Sequence, residues 1–280
     1  MKVGIFFRKQ IDEVIHIANE IIQYLKAHSI DVYVDADIQH LFSEPLIDQN
    51  IQPQLDFLIS IGGDGTFLRA SHSVIHTSTP LIGINYGYTG FLTTIEEEEV
   101  LLSLHDLIHG KYHIEDRITL EYEMLRDGNI CCSGYTVNDL VFQRQPMSKM
   151  ISLDVFADKH KIANFRGDGV IVSTPTGSTA YSLSSGGPIL DPRCTDIIIN
   201  PLCPHRLSSR CIVLPDSMIV SISTNCHQRP TLLIVDGFFS NTIIDKDRIQ
   251  IKKSNKKLRI IHLKKKNFFD TLNHKFSWGI

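Results

Sequence analysis

The stretch "LDFLISIGGDGTFLRASHSVIH", residues 55–76, sets the class of the fold. Its first half is apolar enough for a strand buried on both faces, its centre sets glycines around a single carboxylate, Asp64, and its second half has helical spacing. A strand that passes through a glycine turn into a helix is half of a β-α-β unit. The same alternation surrounds it. "KVGIFF" reads as a strand, residues 11–28 place Ile11, Val14, Ile15, Ala18, Ile21, Ile22 and Leu25 at helical spacing, and "IDVYV" is a strand again. Downstream, "TPLIGIN" is a strand and "EEEEVLLSLHDLIHG" a helix with its acids in the first turn, where the helix dipole favours them. Strands alternating with helices imply a parallel sheet with helices on its faces.

From about residue 112 the period changes. "ITLEYEMLRDGNICCSGYTVNDLVFQR" alternates on both sides of Asp127-Gly128, a strong hairpin-turn pair. "MISLDVFADKHKIANFRGDGVIVSTP", "CIVLPDSMIVSISTN", "RPTLLIVDG", "RIQIKKS" and "KLRIIHL" continue as short strands, and "NFFDTLNHKF" reads as a closing helix. The expected organisation is an α/β domain over 1–111 with a Rossmann-like parallel sheet, and a β-rich, sandwich-like domain over 112–264. Residues 265–280 are expected to return to the first domain as a helix.

A chain of 280 residues with 42% hydrophobic content can bury a substantial core. Its formal charge of −3 supplies no basic field for nucleic acid, so small molecules are the expected partners. Six cysteines fall in no C-x-x-C pair, no signal-peptide core is present, and no apolar run is long enough for a bilayer. The expectation is a reduced, cytoplasmic protein without nucleic-acid or membrane partners.

The glycine loop has two readings. A flexible turn between a strand and a helix exposes backbone N–H groups where the helix dipole favours phosphate; alternatively it is a tight turn in which Asp64 caps the following helix. No Walker A loop occurs, and no G-x-G-x-x-G follows the first strand. A second stretch, "RGDGVIVSTPTGSTAYSLSSGGPILDP", residues 166–192, runs a strand into small and hydroxyl residues at Gly177, Ser178 and Thr179, with a short helix through Tyr181. It reads as a holder of a polar ligand or as a capped turn. Asn138-Asp139 interrupts an apolar strand. Successive strand residues face opposite ways, so both reach one ligand only at a strand end or bulge; a plain turn is the other reading. The histidine pairs 72/76 and 105/109 lack a third ligand, and the lysines from 252 to 266 read as solvated faces.

"GGDGTFLRA", "GINYGYTGFL", "VNDLV", "RGDGVIVSTPTGSTAYSLSSGGPI", "PLCPHRLSSRCIVLP" and "FFDTLNHKFSWG" occur in an order, and at a spacing, that resembles the bacterial-type NAD kinases across almost the whole chain. "GGDGT" alone is shared with lipid, sphingosine and phosphofructokinases; the long run from Gly167 is more specific. The resemblance implies transfer of a phosphoryl group from ATP, or inorganic polyphosphate, to the 2′-hydroxyl of the adenosine ribose of NAD, an alcohol acceptor. It makes Asp64 the general base and places Asp64, Gly65, Phe91, Asn138, Asp139, Arg166, Asp168, Thr179, Ala180, Tyr181, Ser182, Leu183 and Ser184 at the NAD site, with Phe91 against the adenine. Gly62, Gly63, Thr66, Arg69 and Lys149 fall on the phosphate-donor side. Mg²⁺ is implied on the nucleotide phosphates, with no protein-held metal. A homodimer or homotetramer is implied because the nicotinamide half is often completed across a subunit interface in this family.

The chain departs from the family pattern at Tyr86 and Tyr88, where Arg and a small or basic residue are frequent, and at Phe238, where Gln is frequent. Two other readings stay in view: a lipid or sphingoid kinase of the same superfamily, and a non-catalytic dinucleotide-binding regulator.

Overall fold

The computed structural model describes the chain except for residues 9–10, 88–89, 94, 225–229, 264–267 and 278–280. Contacts divide it into two units, Met1–Asp116 with Lys256–Ile280, and Arg117–Asn255. The sequence reading divides it at 111/112 and 264/265.

The first unit is built by alternation of period. It comprises β1 (Lys2–Phe7), α1 (Asp12–Ala27), β2 (Asp31–Val34), β3 (Phe57–Ile61), α2 (Asp64–Val74), β4 (Leu81–Ile84) and α3 (Val100–Ile108). The strands are parallel in the order β2-β1-β3-β4, with Val3 opposite Phe57 and Leu58 opposite Leu81. All five residues of β3 are buried, as a strand covered on both faces requires. α1 turns Val14, Ile17, Ala18, Ile21, Ile22 and Leu25 into the core and carries Asp12 and Glu13 at its start and Lys26 at its end, matching the helix dipole. Ile11, expected on the apolar face, is instead the residue before the helix and is exposed. The acids at 97–99 form a separate 3₁₀ turn that leads into α3.

The second unit is antiparallel. Its strands are β5 (His113–Arg126, whose first residues lie in the first unit), β6 (Asn129–Thr136), β7 (Asp139–Arg144), β8 (Ile151–Ala157), β9 (His160–Gly167) and β10 (Gly169–Ser173). After the short α4 (Tyr181–Ser184) come β11 (Ile197–Leu202), β12 (Ile212–Leu214), β13 (Val220–Thr224), β14 (Thr231–Val235), β15 (Phe238–Ile243) and β16 (Arg248–His262). α5 (Phe268–Phe276) closes the described chain in the first unit. One sheet has the order β12-β11-β10-β7-β14-β15, and β13 pairs with β8 and β16 in another. Inward residues of both, among them Phe142, Val172, Ile199 and Leu233 from one and Val155, Ile222 and Ile251 from the other, form a single core, which makes a sandwich. The β5–β6 hairpin turns on Asp127 and Gly128, both at positive φ, as a two-residue turn of this hand demands.

Three strand assignments change: β15 is absent from the strands assigned by pattern, and two further changes follow. "RIQIKKS" and "KLRIIHL" are one strand, because the intervening Asn255-Lys256 holds no glycine or proline and Ser254 just before it stays buried. Its last part pairs Ile260 with Leu81 of β4, which places residues 256–263 in the first unit. β11, six buried residues ending in Pro201-Leu202, is absent from the strands assigned by pattern. Among the described residues no helix is long and apolar enough to cross a membrane.

Candidate active site

In the first unit, β3 delivers the chain through Gly62 to Gly63, the N-cap of α2, and Asp64 is the first helical residue. Its carboxylate does not cap its own helix. It crosses to the loop after β4, where Oδ2 accepts from the Phe91 amide at 2.8 Å and Oδ1 accepts from the Leu92 and Thr93 amides at 3.0 and 3.3 Å. The capping reading is therefore not the one adopted. Three backbone donors fix both oxygens, and Oδ2, with one amide, keeps lone-pair capacity for a hydroxyl. Gly90 is required by close approach, since a Cβ there would lie 1.9 Å from Asp64 Oδ1. Around Gly63 and Gly65 the reverse holds: an added Cβ would meet nothing within 4 Å among the described residues, so their faces are open. Thr66 lies in the first turn of α2 with its side chain against Gly62, and Arg69 is exposed on the same helix.

Phe91 is half-buried, and α5 packs beside it. The rings of Phe268 and Phe276 stand 6.4 and 6.3 Å from its centroid, and the Lys275 ammonium lies 4.7 Å over it. Tyr86 packs against the core of the unit; Tyr88 lies outside the described residues.

In the second unit the organiser is Asp236. Its carboxylate accepts from the amides of Val137 at 2.8 Å, Asn138 at 2.7 Å and Asp139 at 3.1 Å, and from the Thr136 hydroxyl at 2.5 Å. Four donors on one carboxylate suit a negative charge and hold the chain in a bend between β6 and β7. Asn138-Asp139 thus sits at a strand end. The Asn138 backbone carbonyl accepts from Thr174 N at 2.9 Å and Ser173 Oγ at 3.1 Å, while Thr174 Oγ1 donates to Val137 O at 2.6 Å and accepts from Gly177 N at 3.0 Å. Gly177 lies so close that a Cβ would be 2.2 Å from Asn138 O. Two stretches read separately in the sequence are therefore one locus. At this locus Asn138 Oδ1 is buried with no hydrogen-bond partner among the described residues, an acceptor that a ligand donor would satisfy. Burial, reinforced by the charge of Asp236, raises the pKa of Asp139 to about 7.

Residues 3–112 match the ATP-NAD kinase N-terminal domain family, and residues 137–263 match the ATP-NAD kinase C-terminal domain family. The chain belongs to the NAD kinase family. The NAD kinase of Natranaerobius thermophilus is 34% identical over 99% of this chain and 98% of that protein. That of Chromobacterium violaceum is 41% identical over 84% of this chain and 81% of its own length. A crystal structure of yeast NADH kinase with NADH superposes with a TM-score of 0.89 at 26% identity, covering all of this chain and 88% of that one. An Archaeoglobus fulgidus NAD kinase structure, at 23% identity and TM-score 0.77, covers 99% of both chains and shares the two-domain fold. The lipid-kinase and non-catalytic readings are not favoured.

The remaining residues that the resemblance places at the NAD kinase site all lie in the second unit, most of them around the turn after β10. Thr179 and Ala180 are half-buried, Tyr181 and Ser184 exposed, Leu183 half-buried and Ser182 fully buried. Asn200 of β11 secures this turn by donating to the carbonyls of Ser182 at 2.9 Å and Ser185 at 3.3 Å. Burial, with Cys203, Asp168 and Asp139 nearby, pushes the Tyr181 phenol above its ordinary range, so Tyr181, Asp139 and Asp168 share one electrostatic neighbourhood. Asp168 is paired with Arg144, Nε to Oδ1 at 2.5 Å. Arg166 and Lys149 are exposed, and the Arg166 carbonyl accepts from His205 N at 2.8 Å. Phe238 opens β15. Pattern reading missed Asp236, Thr174 and Asn200 as supports; only the turn signal "VDG" marked the first, and only locally.

Proposed function

We propose that this chain uses Asp64 as general base to phosphorylate the 2′-hydroxyl of the adenosine ribose of NAD, with ATP as donor. The observation that carries the reading is the Asp64 carboxylate, oriented by three amides and with capacity left on Oδ2. In this reading Oδ2 takes the hydroxyl proton as the ribose oxygen bonds to the γ-phosphorus; the bond to the bridging oxygen breaks and ADP leaves. Positioning and electrostatics carry most of such a transfer. The open faces of Gly63 and Gly65 give phosphates and ribose backbone approach, and α2 presents the positive end of its dipole. Within the second unit, Asn138, Asp139 and the turn from Thr179 to Ser184 are read, by the family resemblance, as groups that hold a dinucleotide. Its buried Asn138 Oδ1 is the atom best suited to accept from the ligand.

Mg²⁺ would be held by the nucleotide phosphates, as the family resemblance implies. When bound it offsets charge on the transferring group. Polyphosphate is the second donor that the family resemblance carries. The reading also places the enzyme in the cytoplasm as a homo-oligomer. Met147, fully exposed, and Leu207, 92% exposed, stand on the loops after β7 and β11, whose backbones reach Arg144 and Arg166. Light scattering on the purified chain tests the oligomer.

The activity is tested by incubating the protein with NAD, Mg²⁺ and either ATP or polyphosphate, and reading NADP with an NADP-specific dehydrogenase. NADP formation is expected with ATP. NAD binding without NADP from either donor would leave only the non-catalytic reading, and phosphorylation of sphingosine or diacylglycerol instead would restore the lipid-kinase one.

A further inference from the structure

The amides that grip Asp64 belong to a loop that must itself be held. On one side Ile95 pairs in parallel with Ile84 at the end of β4, and Asn85 N donates to Ile95 O at 2.7 Å. On the other, the side chain of Asn85, only 2% exposed, spans the loop. Its Oδ1 accepts from the hydroxyl of Thr93 at 3.3 Å, and its Nδ2 donates to Glu96 Oε2 at 2.8 Å. Thr93 is at once the residue whose amide reaches Asp64 Oδ1. A buried carboxamide satisfied at both ends fixes two points of a loop more firmly than packing alone, because shifting either point leaves a buried polar group unpaired.

We infer that Asn85 and Glu96 are positioning residues for the catalytic carboxylate: Glu96 orients the Asn85 carboxamide, Asn85 fixes Thr93, and Thr93 with its two neighbours fixes Asp64. Neither residue is assigned a contact with substrate, and the inference rests on the reading of Asp64 as the base. It makes Glu96 different in kind from the exposed acids at 97 and 98, with which it forms a single run in the sequence.

The test uses Glu96→Leu, which removes the acceptor at similar size, and Glu96→Gln, which keeps one. Steady-state kinetics with NAD, ATP and Mg²⁺ should show kcat falling on the order of 10- to 100-fold in E96L with KM for NAD little changed, since misplacement of a reacting group acts on the transition state. E96Q should recover most of the loss. Amide hydrogen exchange in the free protein should be faster at Phe91, Leu92 and Thr93 in E96L and near wild type in E96Q. If E96L does not fold, Asn85→Asp, which cannot donate to Glu96, should show the same split and the same faster exchange. Wild-type kcat and exchange in these variants would overturn the inference. So would equal loss in E96Q and E96L, with KM for NAD rising and the melting temperature falling, which is the signature of a merely structural residue. If the wild type makes no NADP, the proposed activity fails, and the exchange pattern still decides whether the tether exists.

Discussion

Replacing Asp139 by Asn removes a titration that the fold suppresses. Asp139 is buried beside Asp236, whose carboxylate is anchored by four donors, and these surroundings raise its pKa to about 7 from an ordinary value of 3.8. Tyr181 and Asp168 are further titratable groups in its neighbourhood. With the folded value raised, the native state retains a proton that the unfolded chain releases. Stability is therefore complete below about pH 4 and is lost as pH rises through 7. The difference of about 3 units corresponds to an upper bound of roughly 4 kcal/mol at pH 8, of which roughly 2.5 kcal/mol develops between pH 5 and pH 8. The carboxamide introduced by Asp139→Asn keeps the shape of the neutral acid and does not titrate. Urea unfolding of wild type and D139N across that range should give midpoints that diverge with rising pH, the variant being the more stable at pH 8. Parallel curves would refute the assignment of a neutral Asp139 and, with it, the proposed coupling to Asp236.

Further outcomes follow from the geometry. Gly90→Ala puts a Cβ 1.9 Å from Asp64 Oδ1 and should lower kcat on the order of 100-fold in a protein that still folds by circular dichroism; unchanged kcat contradicts the clamp. Asp236→Ala strips an acceptor from three amides and a hydroxyl and should destabilise the protein by about 3 kcal/mol or more, read as a lowered urea midpoint. Lys275→Met removes a cation over Phe91 worth about 0.5–1 kcal/mol, so KM for NAD should rise roughly 2- to 5-fold. An unchanged KM would detach the closing helix from the acceptor.

What pattern could read was whatever a short window contains. The buried run of β3, the glycines after it and the amphipathic α1 announce themselves by period, and the Asp127-Gly128 turn by its φ requirements. Asp236 shows the limit. Locally it is half of another two-residue turn, at positive φ with Gly237, and nothing nearby reveals that it collects donors about one hundred residues upstream. Asp64 was visible as an acid in a glycine loop, but whether it capped its helix or crossed to residues 91–93 depends on a pairing 27 to 29 residues away. β11 was hidden because its end reads as a proline-rich motif, although Pro201 still fits the edge of its ladder with Val170. The contact of α5 with Phe91 joins the two ends of a domain split by the whole β-rich insertion.

The central claim is that Asp64 removes the proton from the ribose 2′-hydroxyl. Its most direct measurement is the rate of NADP formation by wild type and Asp64→Asn under saturating NAD and ATP with Mg²⁺, alongside NAD affinity by calorimetry. Asn keeps the amide contacts on Oδ1 but cannot accept a proton at this strength, so D64N should bind NAD and form NADP at least about 100-fold more slowly. A variant that turns over at the wild-type rate would contradict the account.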